Sequence, residues 1–422
     1  MQLRRGGRSG LLTWLVGLAV VVLLLAAGGL VASRLGDDDG PADASQTSSP
    51  DPSPDSSEDP SDDPSPEPSE SPTTDPTTDP TTEPTGGATP DGTPQGAAVL
   101  GTRPERSPAG VPVDRVSGAI LPDPAEAEND LPDLYADDCQ LTVDESDLKE
   151  CAYGVPAADA KATVAVVGDS KAAQWLPALQ VLAERYSWRV EVYTKSACPA
   201  STVPVSNAGK VYETCSEFNR QVRKRLTEKP VDLVFTVSGR GSAISGRDKS
   251  GSVKVSDAAL SAGLQQTWRV WERAGSKVLV VSDTPKPVDP EDDTDIFEVP
   301  PCVEDHLDQL TACTFDRTQG VDLGGFPTQE KALRSAGARD LTPALRGAKV
   351  GRRATPDISY VDIIPWVCPT GTCPAVIGNV LVYRNGSHLT KTYVETLTPL
   401  LQKALDVMER EPKSKPEPRV SP

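Results

Sequence analysis

The sequence predicts an α/β domain, three-layered α/β/α around a five-stranded parallel sheet, preceded by one transmembrane helix and a disordered linker. Three observations carry this. From Thr163 onward short β-branched runs alternate with longer amphipathic stretches, the pattern of a parallel sheet covered on both faces. Residues 11–32 carry no charge. Residues 37–95 hold 16 acidic residues and 14 prolines but no Lys, Arg or aromatic residue.

The N-terminal stretch 11–32 is rich in Leu, Val, Ala and Gly, long enough as a helix to span a bilayer. Arg4, Arg5 and Arg8 precede it and Asp37 to Asp39 follow, so residues 1–10 are expected in the cytoplasm and everything beyond Arg34 outside. Small residues near its end are compatible with a cleaved signal peptide. Its length favours a retained signal-anchor over the shorter apolar region of such a peptide.

The linker, expected over 33–110, repeats Thr-Thr-Asp-Pro at 73–76 and 77–80 and Thr-Thr-Glu-Pro at 81–84. It has too little apolar surface to offset the entropy of ordering. Proline and charge repulsion extend it, to on the order of 150 Å at the stiff limit and roughly 45 Å as a coil. It is a spacer between membrane and folded head.

The whole chain has 422 residues and a formal charge of −19, yet residues 96–422 carry only −7 of it. With no basic patch, nucleic acid is excluded as a partner. The eight cysteines form close pairs: Cys139/Cys151, Cys198/Cys215, Cys302/Cys313 and Cys368/Cys373. Outside the cytoplasm this reads as four local disulfides. Zinc is the rival, disfavoured by the lack of Cys-x-x-Cys and by only two histidines. The acidic run 289–295 lacks the glycine and terminal glutamate spacing of a calcium loop. No metal or cofactor is implied.

Within the head, expected over 130–410, strands are predicted at 163–167, 189–193, 231–237, 277–282 and 358–363. Helices are predicted at 174–186, 215–227, 257–274, 329–335 and 389–408, and a disordered tail at 411–422. Sites in such sheets lie at the carboxyl ends of the strands. The first strand runs into Gly168-Asp169-Ser170, which places Ser170 at a strand end and a helix N-terminus, where free N–H groups stabilise an oxyanion. An ordinary serine cap has the same local pattern. A serine nucleophile needs a base, most often histidine. His306 lies in an acidic loop between two cysteines. His388, before the last helix, sits on a loop that opens on the same sheet edge as Ser170.

GDSKAAQWLPAL at 168–179, KSACP at 195–199 and YRNGSHLT at 383–390 resemble the SGNH hydrolase superfamily. More narrowly, with the cysteine-rich stretches 283–313 and 362–374, they resemble the exported SGNH domain attached to acyltransferase-three membrane proteins of bacteria. The likeness covers roughly 130–410 and implies a flavodoxin-like sheet of SGNH type. It also implies Ser170 as nucleophile and His388 as base. Three departures stand out. Lys171 occupies the position where the family often has histidine. Asn385 replaces the aspartate three residues before His388, fixing a tautomer without the charge of a carboxylate, with Asp283 and Asp362 as alternative partners for the imidazole. No GxND motif follows the strand 231–237, which leaves the backbone N–H groups of Ser170 and Gly239 as oxyanion donors.

The resemblance implies an O-acyltransferase or esterase acting on a cell-envelope polysaccharide or another acyl ester. As a transferase it requires acyl groups from a separate membrane acyltransferase. The alternative is a non-catalytic envelope protein that binds glycan or scaffolds such an acyltransferase.

Overall fold

A computed structural model describes residues 92–239, 242–289, 297–350 and 357–410. The expected membrane span, most of the linker, most of the acidic run 289–295 and the tail lie outside them. Among the described residues no helix is long and apolar enough to cross a membrane.

Eight strands form the central sheet: β1 (Gln140–Leu141), β2 (Cys151–Gly154), β3 (Ala162–Gly168), β4 (Trp188–Lys195), β5 (Leu233–Val237), β6 (Lys277–Val281), β7 (Arg339–Asp340) and β8 (Ile358–Val361). The order is β1-β4-β3-β5-β6-β8-β7, with β2 added antiparallel to β4. All other pairings are parallel. The five long parallel strands thus run 2-1-3-4-5 in chain order, the flavodoxin-like arrangement. The predicted five-stranded sheet is its core. The edge strands β1, β2 and β7 are two to four residues long, too short to register as a β-branched run.

Side chains alternate between faces along a strand, and here both faces are dry. Val164 and Val166 enter one apolar core, while Ala165 and Val167 enter the other. Leu279 and Val281 oppose Val278 and Val280 in the same way. That is why these strands read as continuous apolar runs. One face carries α2 (Leu176–Tyr186) and α6 (Lys391–Glu409), following the short α1 (Ser170–Ala173); the other carries α3 (Glu213–Glu228), α4 (Asp257–Ala274) and α5 (Phe326–Ala336). A small antiparallel sheet of Val205–Asn207, Lys210–Val211, Ser242–Arg247 and Val253–Ser256 was not anticipated by the sequence pattern.

The linker boundary at 110 requires correction. Gly96–Leu100 is a 3-10 turn with Ala97 and Leu100 buried in the core. Asn379 Oδ1 accepts from Gln95 N (2.8 Å), Thr396 Oγ1 from Ala97 N (2.9 Å), and Gly101 O from Trp366 Nε1 (2.8 Å). The ordered head therefore includes residues 96–110 that the expected boundary placed in the spacer.

All four predicted cysteine pairs are disulfide-bonded: Cys139–Cys151, Cys198–Cys215, Cys302–Cys313 and Cys368–Cys373. Each spans 17 residues or fewer, so each fixes a local loop. Cys198–Cys215 ties the turn after β4 to the start of α3.

Candidate active site

The carboxyl end of β3 makes an abrupt turn into α1. Gly168 has φ +151°, and a Cβ there would lie 2.3 Å from Val237 O. Only glycine lets β3 and β5 approach so closely at this edge. Asp169 caps α1, its Oδ1 accepting from Lys171 N (2.9 Å) and its Oδ2 from Gly239 N (2.8 Å). Ser170 follows as the first helical residue, half-buried, its own N–H among the orphan donors of the helix start.

His388 comes from a tight hairpin in which Tyr383–Asn385 pairs with His388–Leu389 and Asn385 faces His388. Gly386, with φ +44°, takes the first position of the two-residue turn, where positive φ is required. Directly opposed residues on a hairpin share a face and lie close, so Asn385 reaches the imidazole. Asn385 Oδ1 lies 3.1 Å from His388 Nδ1, and His388 Nε2 lies 2.8 Å from Ser170 Oγ. Because the amide oxygen only accepts, the proton belongs on Nδ1. The Nε2 lone pair then faces the Ser170 hydroxyl.

Burial, then the cations Lys171 and Arg384 nearby, push the His388 pKa down to about 3. The ring is therefore neutral at ordinary pH, the form that accepts a proton. Neither aspartate weighed as its partner is engaged with it. Asp283 pairs with Lys171 (Nζ to Oδ1, 3.2 Å) and accepts from Gly325 N (2.7 Å). Asp362 accepts from Ile364 N (2.9 Å) and Ser282 Oγ (3.2 Å). Gly239, proposed from sequence as an oxyanion donor, also requires correction: its N–H is given to Asp169.

Lys171 follows Ser170 yet serves the histidine. It is only 5% exposed. Its ammonium donates to Thr284 Oγ1 (2.6 Å) and to the carbonyl of Ser387, the residue before His388. Thr284 Oγ1 donates to the same carbonyl (2.7 Å). Gln174 Oε1 accepts from Leu389 N (3.1 Å), and Glu298 Oε2 from Gly386 N (2.6 Å). Sequence reading passed over Thr284, Gln174 and Glu298 because polar residues that brace a backbone have no local pattern.

His306 does not join this group. Its Nδ1 lies 2.9 Å from Cys302 O, inside the Cys302–Cys313 loop. The two sulfurs beside it are bonded to each other, so this cluster offers a metal only one free ligand. Two cavities, of about 520 and 250 Å³, lie beside the C-terminal part of α6; neither includes Ser170 or His388.

A serine hydroxyl, a neutral imidazole and a helix start at the carboxyl edge of a flavodoxin-like sheet define a protein of the SGNH type. The chain matches the SGNH domain (fused to AT3 domains) over residues 137–403, and it belongs to that family. Among solved structures it is similar to the periplasmic domain of a lipopolysaccharide acetyltransferase from Salmonella ser. Paratyphi A, at 14% identity and a TM-score of 0.39, over 60% of this chain and 90% of that one. No curated protein matches it significantly.

Proposed function

We propose that this protein is a membrane-anchored, extracytoplasmic SGNH-type O-acyltransferase or esterase acting on ester groups of a cell-envelope glycan. The observation that carries this is the 2.8 Å contact between His388 Nε2 and Ser170 Oγ, made across 218 residues of chain. Family membership supports acyl chemistry. Four disulfides support an oxidising compartment outside the cytoplasm. The apolar stretch 11–32 supports a single-pass anchor with its N-terminus in the cytoplasm.

In this reading Ser170 Oγ attacks the acyl carbonyl carbon while its proton passes to His388 Nε2. The tetrahedral oxyanion is met by the Ser170 N–H, since the next N–H groups of α1 are given to Asp169. Collapse breaks the acyl–oxygen bond, and the leaving alcohol takes the proton from Nε2. A sugar hydroxyl or water then gives its proton to Nε2 and attacks the acyl-serine; collapse breaks the acyl–Oγ bond, returns the proton from Nε2 to Ser170 Oγ and releases the new ester or the acid. Asn385 holds the Nδ1–H tautomer throughout. For transfer, the donor comes through a separate membrane acyltransferase.

Asn385 in place of a carboxylate favours a second reading, an SGNH fold that binds glycan or scaffolds a membrane acyltransferase without chemistry. A fluorophosphonate probe on the full-length protein, disulfides intact, separates the two by intact mass. The parent is expected to gain one adduct, and Ser170→Ala and His388→Ala none. A folded parent that stays unlabelled overturns the catalytic reading.

A further inference from the structure

Beside the Ser170–His388 pair lies a second cation that the reaction scheme does not use. Arg384 stands on the histidine hairpin, one residue before Asn385, and is only 5% exposed. Its guanidinium rests over the Tyr135 ring, 5.6 Å from the centroid, within cation–π range, and is within hydrogen-bonding reach of the Tyr135 hydroxyl. Its Nε is buried without a hydrogen-bond acceptor among the described residues. Asp130 and Glu128 act on it only through their charge, and the Asp130 carboxylate accepts from Thr392 N (2.8 Å).

An arginine stays charged in proteins, so it does not escape the cost of burial by losing its proton. Every other strongly buried cation of this edge is matched. Lys171 has Asp283, Thr284 and Ser387, and Lys195 donates to the carbonyls of Val143 (2.9 Å) and Glu145 (2.5 Å). Among these three, only Arg384 leaves a buried donor, its Nε, without an acceptor among the described residues; its remaining partner is Tyr135. It is near enough to His388 to bias the imidazole, and Asp169 is near enough to bias Tyr135. A planar fork of donors, stacked and held rigid beside a nucleophile, matches the two oxygens of a carboxylate or phosphate.

We infer that Arg384, backed by Tyr135, is a subsite for an anionic group on the glycan, a carboxylate or phosphate adjoining the esterified or accepting sugar. The charge on Arg384 is then completed by substrate. Asp130 and Glu128 act on the guanidinium at longer range and oppose an anion there, so only a ligand that engages the guanidinium directly is expected to bind. The inference rests on the reading of Ser170 and His388 as the site, but its test does not depend on their chemistry.

The experiment is equilibrium binding to full-length protein carrying Ser170→Ala, so that nothing is turned over. The probes are methyl glucuronoside for carboxylate, glycerol phosphate for phosphate, and methyl glucoside as the neutral control. One anionic probe is expected to bind at least tenfold tighter than the neutral one, and which of the two does so names the anion. Adding Arg384→Gln should remove that preference, and Arg384→Lys should restore only part of it. The Arg384 Nε–H resonance, assigned by its loss in Arg384→Lys, should move with the anionic probe, a readout that survives if the Gln variant folds poorly. Equal binding of all three probes, or an unmoved resonance, overturns the subsite. Adduct formation at Ser170 without anion preference would sink this inference and leave the catalytic reading standing; anion preference without adduct formation would do the reverse.

Discussion

Ser170 is fixed by its own neighbourhood: Gly168 lets β3 reach β5, Asp169 caps the turn, and Gly239 at the end of β5 holds the cap. His388 rides on a two-residue hairpin braced by Lys171, Gln174, Thr284 and Glu298, residues drawn from three distant segments. The serine half is thus a property of one strand–turn–helix unit and the end of the neighbouring strand. The histidine half is a property of the assembled domain. A pair built this way can keep its serine in place while losing its histidine, and perturbations should separate the two.

The largest separation is expected from Lys171→Met. Lys171 and Asp283 form a buried pair, at 5% and 2% exposure. Removing one partner of such a pair costs about 3–5 kcal/mol, because the other is left buried and uncompensated. Ser387 also loses one of the two donors that hold its carbonyl, so the hairpin loosens while the Gly168 turn stays intact. Thermal unfolding should show the loss, and the double change Lys171→Met with Asp283→Asn should recover part of it. Labelling of Ser170 should fall even in the recovered double variant. If the double variant labels at the parental rate, Lys171 acts on stability alone and not on the placement of His388.

Asn385→Asp sharpens the same comparison by changing only the charge on the histidine half. The present amide fixes the tautomer but leaves the imidazolium unsupported, between the cations Lys171 and Arg384. A carboxylate there stabilises the protonated ring. In a serine protease the opposite change costs about 10⁴-fold. Because the local cations remain, a smaller gain of roughly tenfold in labelling rate is expected here, equal to about 1.4 kcal/mol. A decrease would mean that the site depends on an imidazole kept neutral.

The contrast also explains what the sequence makes legible. The core strands and the helices on both faces were readable because double burial leaves unbroken apolar runs, as in 163–167 and 277–281. The proximity of Ser170 and His388 was readable because a glycine-led strand end and a nearly histidine-free chain leave few alternatives. The braces were not readable. Lys171 looks like a neutral replacement for the family's histidine until its ammonium is seen at Asp283, Thr284 and Ser387. Gly239 looks like an oxyanion donor until its N–H is found on Asp169. The turn at 96–100 reads as linker because its apolar content is a few short side chains, Ala97, Val99 and Leu100 among them, that matter only once Thr396 and Asn379 are beside it. Local pattern encodes burial and turns; it does not encode which distant polar group satisfies which backbone.

The smallest expected effect distinguishes the halves by pH. On the histidine side, the His388 pKa is pushed from its ordinary 6.5 to about 3, by burial first and by Lys171 and Arg384 after it. The folded protein therefore binds fewer protons than the unfolded chain between those values. The stability contribution is fully present above 6.5 and is lost as pH falls toward about 3. On the serine side, burial and the nearby Asp283 push the Asp169 pKa up to about 7 from 3.8, against the pull of the Gly239 and Lys171 N–H groups. Here the folded protein binds more protons, so stability falls as pH rises from 3.8 through about 7, the opposite sign. Labelling should respond in the same two places. Protonating Asp169 near pH 7 weakens the cap under Ser170 and should change the rate by no more than a few fold, whereas His388 should remain a competent base well below pH 6.5. Asp169→Asn should erase the inflection near 7 and leave the lower one, while Asn385→Asp should raise the lower one and leave the upper. A single limb at pH 6.5, unmoved by either variant, would show that the imidazole is not held neutral by its surroundings and that the two halves do not titrate apart.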